Sequence, residues 1–321
     1  MSIIAKIFGY ILGDGWIDIK GNGGISGERD SLQVIAKDIN YVFGPGSTGK
    51  IRTEHTVSPL YHIEGVTSQF AIKSNVTKKI LNLGMPRGKR VEVPYQLPCW
   101  IIAGDKDLKT SFFSGYYAAD GSIPSVQINR ETPRPLSFCF YKNLSLEKNG
   151  DHLASQYQYI LSDLGFTSTL TKSFKQTGGP RVVYTITLEN QKDSFLRQLK
   201  MLDLSYCLYR EEKRLQLITY LSMKEEALAK LRVLKDFIFQ CRNEGKSYKE
   251  ISVLTSLNEN KIDHILSGHN KCNRLVGFPK FDENFIKEYC SPVKTPLNDE
   301  TLFRDNDVPS LSSNAKVVSN D

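Results

Sequence analysis

The sequence predicts an α+β fold: two pseudo-symmetric αββαββα repeats with antiparallel sheets, followed by a small all-α C-terminal domain. Three observations predict it. Two apolar nonamers, Ile7–Gly15 and Phe113–Gly121, begin 106 positions apart, and each has a small residue at its third and seventh positions before an Asp-Gly exit. The same order of elements follows each nonamer, as a tandem duplication requires. The pattern then turns wholly helical beyond about residue 225.

In the first repeat (1–104), residues 1–14 read as a helix stopped by Gly15, a residue suited to the left-handed position past a helix end. Trp16 to Lys20 alternates as a strand, and Gly21-Asn22-Gly23-Gly24 reads as a hairpin turn. Leu32, Ile35, Ile39 and Val42 give Ser31 to Phe43 a helical period. Short strands are expected at 50–53 and 60–64, and a helix at 76–83. In the second repeat (105–223) the motif helix is expected at 110–120 and strands at 125–129 and 136–141. A helix over 152–164 is stopped by Gly165, a hairpin pairs 167–172 with 181–188, and helices over 193–202 and 211–223 close the unit.

The third block (224–290) opens with a basic amphipathic helix over 227–242. Ser247-Tyr248-Lys249-Glu250 matches a capping box opening a short helix, and Asn258 is placed to cap another over 259–266. Two short helices joined by a tight turn form a helix-turn-helix pattern, with Asn260, Lys261 and His264 as candidate base readers. The polar tail 291–321 reads as disordered.

Bulk composition bounds the function. The 321 residues allow about two domains with a sizeable core. The net charge is +7, and residues 291–321 are themselves acidic, so the folded part is more basic still and suits a phosphate-bearing partner. Six scattered cysteines without a CxxC pair indicate reduced thiols rather than a disulfide frame. No signal peptide and no membrane span is evident, so the expectation is a protein of the cytoplasm or of an organellar or nucleoid interior, not secreted. Gly44 to Lys50 spells most of a phosphate-binding loop, but Ile51 stands where a hydroxyl must ligate magnesium and the loop follows a helix. His264, His269 and Cys272 lack a fourth zinc ligand at sensible spacing.

Two copies of one unit facing across a pseudo-twofold axis bring two equivalent carboxylates together, the arrangement of a two-metal phosphodiester-cleaving centre. Gly9 with Gly13, and Gly115 with Ala119, lie four apart on one helix face and allow close helix approach. Asp14 and Asp120 then sit at two negative helix ends, where cations are needed and oxygen ligands favour magnesium.

These paired nonamers resemble the signature of the LAGLIDADG homing endonucleases in their single-chain, two-repeat form, over about residues 5–222. The resemblance implies a monomeric, site-specific endodeoxyribonuclease that cuts a long asymmetric double-stranded target and leaves short 3′ overhangs. It implies Mg2+ held by Asp14 and Asp120 with the backbone at Gly13 and Ala119, Mn2+ or Ca2+ substituting for binding. Lys89 and Lys213 match the family's basic residues near the metals, and Glu28 and Asn149 its water-positioning residues. The sheets would form a saddle along the major groove, touching DNA through Trp16, Asp18, Lys20, Arg29, Lys50, Arg52, Ser125, Gln127, Asn129, Arg130, Arg134, Lys142, Lys172 and Arg181. The chain reads as free-standing or intron-encoded. An intron-splicing maturase, with intron RNA as partner, and a non-cleaving regulator are the alternatives on the same fold.

Overall fold

The computed structural model describes residues 1–58, 63–127, 132–176, 179–189, 194–267 and 278–290. Two helices form its axis: α1 (Ser2–Asp14) and α5 (Lys106–Asp120), the two halves of the internal repeat. In the first repeat α1 is followed by β1 (Gly15–Ile17), β2 (Gly23–Gly27), α2 (Arg29–Phe43), β3 (Arg52–Ser58), β4 (Ile63–Ile72) and α3 (Ser74–Asn82). The four strands pair antiparallel in the order β1-β2-β4-β3. A short helix α4 (Cys99–Ile102), unforeseen in the sequence, precedes α5.

The second repeat contains a small arm, β5 (Val126–Gln127) with β6 (Thr132–Pro133), then β7 (Ser137–Asn143), α6 (Glu147–Asp163), β8 (Ser168–Lys175), β9 (Arg181–Leu188) and α7 (Ser194–Met201). Its sheet runs β7-β9-β8, and the bridge between Gly121 and Phe138 supplies a counterpart of β1 at its edge. The two sheets therefore have matching orders, as the duplication demands. Phe8, Tyr10, Phe112, Tyr116, Phe138 and Tyr157 belong to one core that runs through both repeats.

Several local expectations are corrected. Gly15 is extended (φ −82°, ψ 171°), not left-handed; a Cβ there would lie 2.8 Å from Ile11 Cα, so absence of bulk is what the position requires. The first strand ends at Ile17 because the Asp18 carboxylate accepts hydrogen bonds from the backbone of Lys20 (2.8 Å) and Asn22 (2.9 Å) and builds the turn itself. Gly23 and Gly24 lie within β2, and a Cβ on Gly24 would meet the Trp16 ring at 2.7 Å. The Gly44–Lys50 segment joins α2 to β3 through left-handed Gly44 and Gly46, a connection rather than a phosphate cradle.

The helices expected at 211–223 and 227–242 are one, α8 (Leu208–Asn243), 36 residues long. Beyond it the capping box at Ser247 opens α9 (Tyr248–Thr255), and Asn258 caps α10 (Glu259–Leu266) through the Lys261 amide. Ile238 and Cys241 of α8 with Ile251, Ile262 and Ile265 make a separate small core. A further helix, α11 (Glu283–Tyr289), returns to the main body, where Phe278, Phe281 and Phe285 surround Tyr220. No helix among the described residues is long and apolar enough to cross a membrane. The tail 291–321 lies outside the described residues.

Candidate metal centre and nucleic-acid face

The small residues of the nonamers let α1 and α5 touch backbone to backbone. A Cβ on Gly9 would sit 2.1 Å from the Phe112 carbonyl oxygen, and one on Gly115 would sit 2.0 Å from that of Lys6. These contacts are images of each other across the pseudo-twofold axis. Near the axis, a Cβ on Gly13 would sit 2.3 Å from Ala119 Cβ and 3.3 Å from Asp120 Oδ2. The missing side chain is what lets Ala119 pack against α1 there and brings the Asp120 carboxylate up to the end of that helix.

Asp14 and Asp120 end the two helices together. Asp14 is pushed up to about 6, first by loss of solvation and then by the negative charge of Asp120, with Arg210 and Arg90 pulling the other way. Asp120 is raised by loss of solvation against the same two guanidiniums. The two arginines are near-equivalent in the repeats. Arg90 Nη1 donates to the Ile11 carbonyl (2.6 Å) and to that of Leu12, and its Nη2 to that of Gly15. Arg210 Nη1 donates to the carbonyls of Ala118 and Ala119, the latter at 2.6 Å. Each guanidinium neutralises the negative end of one motif helix.

The donor set suits a hard divalent cation: two carboxylates brought together at the negative ends of two helices, where the charge of Asp120 already raises Asp14. The Ala119 carbonyl, expected as a ligand, already accepts from Arg210.

The basic residues expected here are displaced by one and three positions. Lys89 is exposed and pairs with Glu92 at 3.2 Å, and Arg90 beside it is the group against the motif. Lys213 donates to Gln216 (3.3 Å) and lies over the Tyr209 ring, while Arg210 holds the helix end. Neither Arg90 nor Arg210 had a sequence signal beyond lying in the same basic stretch. Glu28 precedes α2 and accepts from Ser31 at 3.3 Å. Asn149 brackets the backbone of Tyr95, with its Nδ2 2.9 Å from the carbonyl and its Oδ1 3.2 Å from the amide, which is a structural brace rather than a water site.

A cleft of about 1050 Å³ opens between the sheets, lined by Trp16, Arg90, Tyr95, Asp120, Tyr141 and Arg181. Strand register sorts the remaining candidates by face. Ser26, Gln69 and Arg52 form one cross-strand row of the first sheet, opposite the face on which Phe70 and Ile72 enter the core. Arg52 is exposed there, as are Lys50 before β3, Arg29 at the start of α2 and Lys20 in the first turn. Trp16 is 42% exposed, whereas Asp18 is engaged in its turn. In the second sheet the outward rows are Ser137-Thr187-Thr169, Cys139-Thr185-Thr171, Tyr141-Val183-Ser173 and Asn143-Arg181-Lys175. Arg181 thus faces the cleft side, and its Nε is buried without a partner among the described residues.

Lys142 and Lys172 are corrected. Lys142 alternates with Phe138 and Phe140, so it points inward and is fully buried. Lys172 shares the inner row of Phe140 and Tyr184 and pairs with Glu147 and Asp151 of α6, both at 2.7 Å. Arg134 is exposed beside the β5-β6 arm, with its amide donating to the Ser125 carbonyl at 2.8 Å. Gln127 lies in β5 by its backbone, and Asn129 and Arg130 fall outside the described residues. Asn260, Lys261 and His264 are exposed on α10, next to the acidic Glu259 and Asp263. Of the rejected zinc set, His269 and Cys272 also fall outside the described residues.

Comparison with known proteins agrees with the motif reading. Residues 107–202 match the family model of the LAGLIDADG-like domain, a span from α5 to just past α7 and thus the body of the second repeat. Among curated proteins, the tRNA-splicing ligase RtcB of Methanopyrus kandleri is 27% identical over 82% of this chain and 26% of its own length. That of Pyrococcus furiosus is 25% identical over 90% of this chain and 30% of its own length. The DNA-directed RNA polymerase subunit Rpo1N of Methanocaldococcus jannaschii is 23% identical over 82% of this chain and 21% of its own length. The chain thus spans under a third of the curated relatives it matches. Among solved structures, mesophilic variants from the homing endonuclease I-DmoI align over 62% of this chain and 92% of theirs, at 15% identity and TM-score 0.36. The homing endonuclease I-GzeII in complex with its DNA target aligns over 78% and 96%, at 9% identity and TM-score 0.36. At those scores the overlays carry no argument about this chain.

Proposed function

We propose that this chain is a site-specific, metal-dependent endonuclease of double-stranded DNA. The observation that carries the proposal is the meeting of Asp14 and Asp120, each with its own arginine, at the touching ends of the two motif helices. Two like charges side by side at negative helix ends burden a purely structural seam, and the two arginines offset them only in part, since Asp14 and Asp120 both stay raised.

In this reading Asp14 and Asp120 hold Mg2+ or Mn2+ by their carboxylate oxygens. When bound, the ions supply an activated water and a counter-charge for the leaving oxygen. Arg90 and Arg210 fix the helix ends and offset charge at the cleft. The outward rows of the two sheets hold the duplex, and their chemistry differs: Arg52, Gln69 and Glu54 on one side, rows half serine and threonine with Arg181 and Lys175 at one end on the other. An asymmetric target follows, read by one chain acting as a monomer, with two cuts leaving short 3′ overhangs. The α9-α10 pair would add a peripheral contact.

The curated relatives support a portable module. Parts of this chain match a tRNA-splicing ligase, an RNA polymerase subunit and, at 30% identity over 39% of this chain, a replication factor C small subunit. These names point to different activities, and this chain spans under a third of each relative, so the matched part is read as something carried by each rather than as the activity of any one.

The test is cleavage of a randomised double-stranded library in Mg2+, with Asp14→Asn beside the wild type. A defined cut that vanishes in the variant is the expected result. Tight sequence-specific binding without any cut, in Mg2+ or Mn2+, would overturn the nuclease reading in favour of a maturase or regulator.

A further inference from the structure

The segment after α3 carries Arg90, yet from Arg90 to Leu97 its backbone is held largely by the other repeat. Lys142 Nζ, on the inner face of β7, donates to the carbonyls of Arg90 (2.8 Å) and Val93 (2.7 Å) and sits 3.9 Å over the Tyr95 ring. The Asn143 amide donates to the Val91 carbonyl at 2.9 Å. On α6, Asn149 brackets Tyr95, and Gln156 accepts from the Leu97 amide at 2.8 Å. Lys142 has no exposed surface, and a lysine so placed stays only where its donors are used. Asp14 and Asp120 feel the charge of Arg90, whose guanidinium hydrogen-bonds the end of α1. Arg210 stands in the first turn of α8, whose entry is tied to the first repeat by other groups, the Leu208 amide donating to Ser31 Oγ at 3.0 Å and the Tyr206 hydroxyl to Asp38 at 2.6 Å, and not by Lys142.

We infer that Lys142 is a positioning residue that sets Arg90 against the end of α1, so the first-repeat half of the centre is assembled by the second repeat. This rests on the nuclease reading for its catalytic consequence, though not for its geometry. A chain in which each repeat supplied its own arginine independently would show no such dependence. Here loss of one buried ammonium on β7 releases the backbone at Arg90 and leaves Arg210 in place.

Two readouts test it. In the DNA-free protein, the guanidinium signals of Arg90, assigned by their loss in Arg90→Lys, report slow rotation while its hydrogen bonds hold. Lys142→Met is expected to speed that rotation at least about tenfold without moving the Arg210 signals. In strand-resolved cleavage, Lys142→Met should slow one strand at least about tenfold, the strand that Arg90→Ala also slows, and leave a nicked product. Lys142→Gln, uncharged but keeping two N–H donors, provides a second variant should the first fail to fold, and should be intermediate. Unchanged Arg90 rotation, or equal slowing of both strands, would overturn the inference. If the wild type cuts no DNA, the nuclease reading falls, while the rotation experiment still decides whether Lys142 sets Arg90.

Discussion

Replacing Gly115 by alanine sets two known effects against each other. Intrinsic helix propensity favours alanine by about 1 kcal/mol. Against this, the new Cβ would lie 2.0 Å from the Lys6 carbonyl oxygen, and ordinary carbon–oxygen contact begins at about 3.3 Å. The opposing atom is backbone within α1, so no rotamer change relieves the clash. The helices must separate by about 1.3 Å, at a cost near the upper end of overpacking penalties, about 3 kcal/mol. The net is a loss of about 2 kcal/mol, or about 4–8 °C in thermal midpoint. The same separation displaces Asp14 from Asp120, and a misplacement of about 1 Å costs about 100-fold in rate. Calorimetry and single-turnover cleavage measure the two effects. Gly9→Ala should behave alike, since its Cβ meets the Phe112 carbonyl at 2.1 Å, whereas Gly49→Ala, at 3.4 Å from the Ala71 carbonyl, should be near neutral. A Gly115→Ala protein as stable and active as the wild type would refute the backbone-contact account of the seam.

Asp14 is raised to about 6 in the folded protein, so folding binds its proton more tightly, and the metal-free protein loses stability as pH rises from about 4 to about 6. Asp14→Asn should therefore stabilise the metal-free protein at pH 7, by about 1 kcal/mol once solvent screening of this accessible group is allowed for, and this is checked by denaturant titration. At subsaturating Mg2+, wild-type cleavage should fall as pH drops through about 6, because the proton that Asp14 takes up in the metal-free protein competes with the ion; a flat profile between pH 5 and 7 under that condition would be inconsistent. Arg210→Ala uncovers the Ala118 and Ala119 carbonyls and removes a cation from both carboxylates, so cleavage of one strand should slow by about 100-fold, read as nicked product on a gel. Ser247→Ala breaks the reciprocal cap with Glu250, and amide exchange should show α9 weakened by about 1 kcal/mol while the main core is unchanged.

Much of the fold was legible because it rests on local chemistry. The nonamers announced close helix contact, Ser247 and Asn258 announced caps, and the shared order of elements announced the duplication. Alternation also held information against two of the DNA-contact candidates: Lys142 follows Phe138 and Phe140 in register, and Lys172 stands between Leu170 and Phe174. Reading charge before register placed both on the wrong face. Arg90 was different in kind. It lies in an irregular segment with no period, and whether residue 89 or 90 meets α1 is decided by stitching to β7 and α6, over 50 positions away. The fusion of two expected helices into α8 was hidden by its solvated middle, where no apolar stripe marks continuity.

That solvated middle has a consequence of its own. Tyr220 is anchored in the main core and Ile238 in the small one, with an uninterrupted helix between them. The rise of the helix makes this a spacer of about 27 Å, equal to about eight base pairs of duplex. A helical spacer fixes angle as well as distance. Each inserted residue adds about 1.5 Å and turns the outer unit by about 100°, so a single insertion points α10 away from its former direction. Seven added residues bring it back to within about 20° while carrying it about 10 Å farther out. Change in the reach of the outer unit is therefore confined to steps near whole heptads, a gear with few usable teeth.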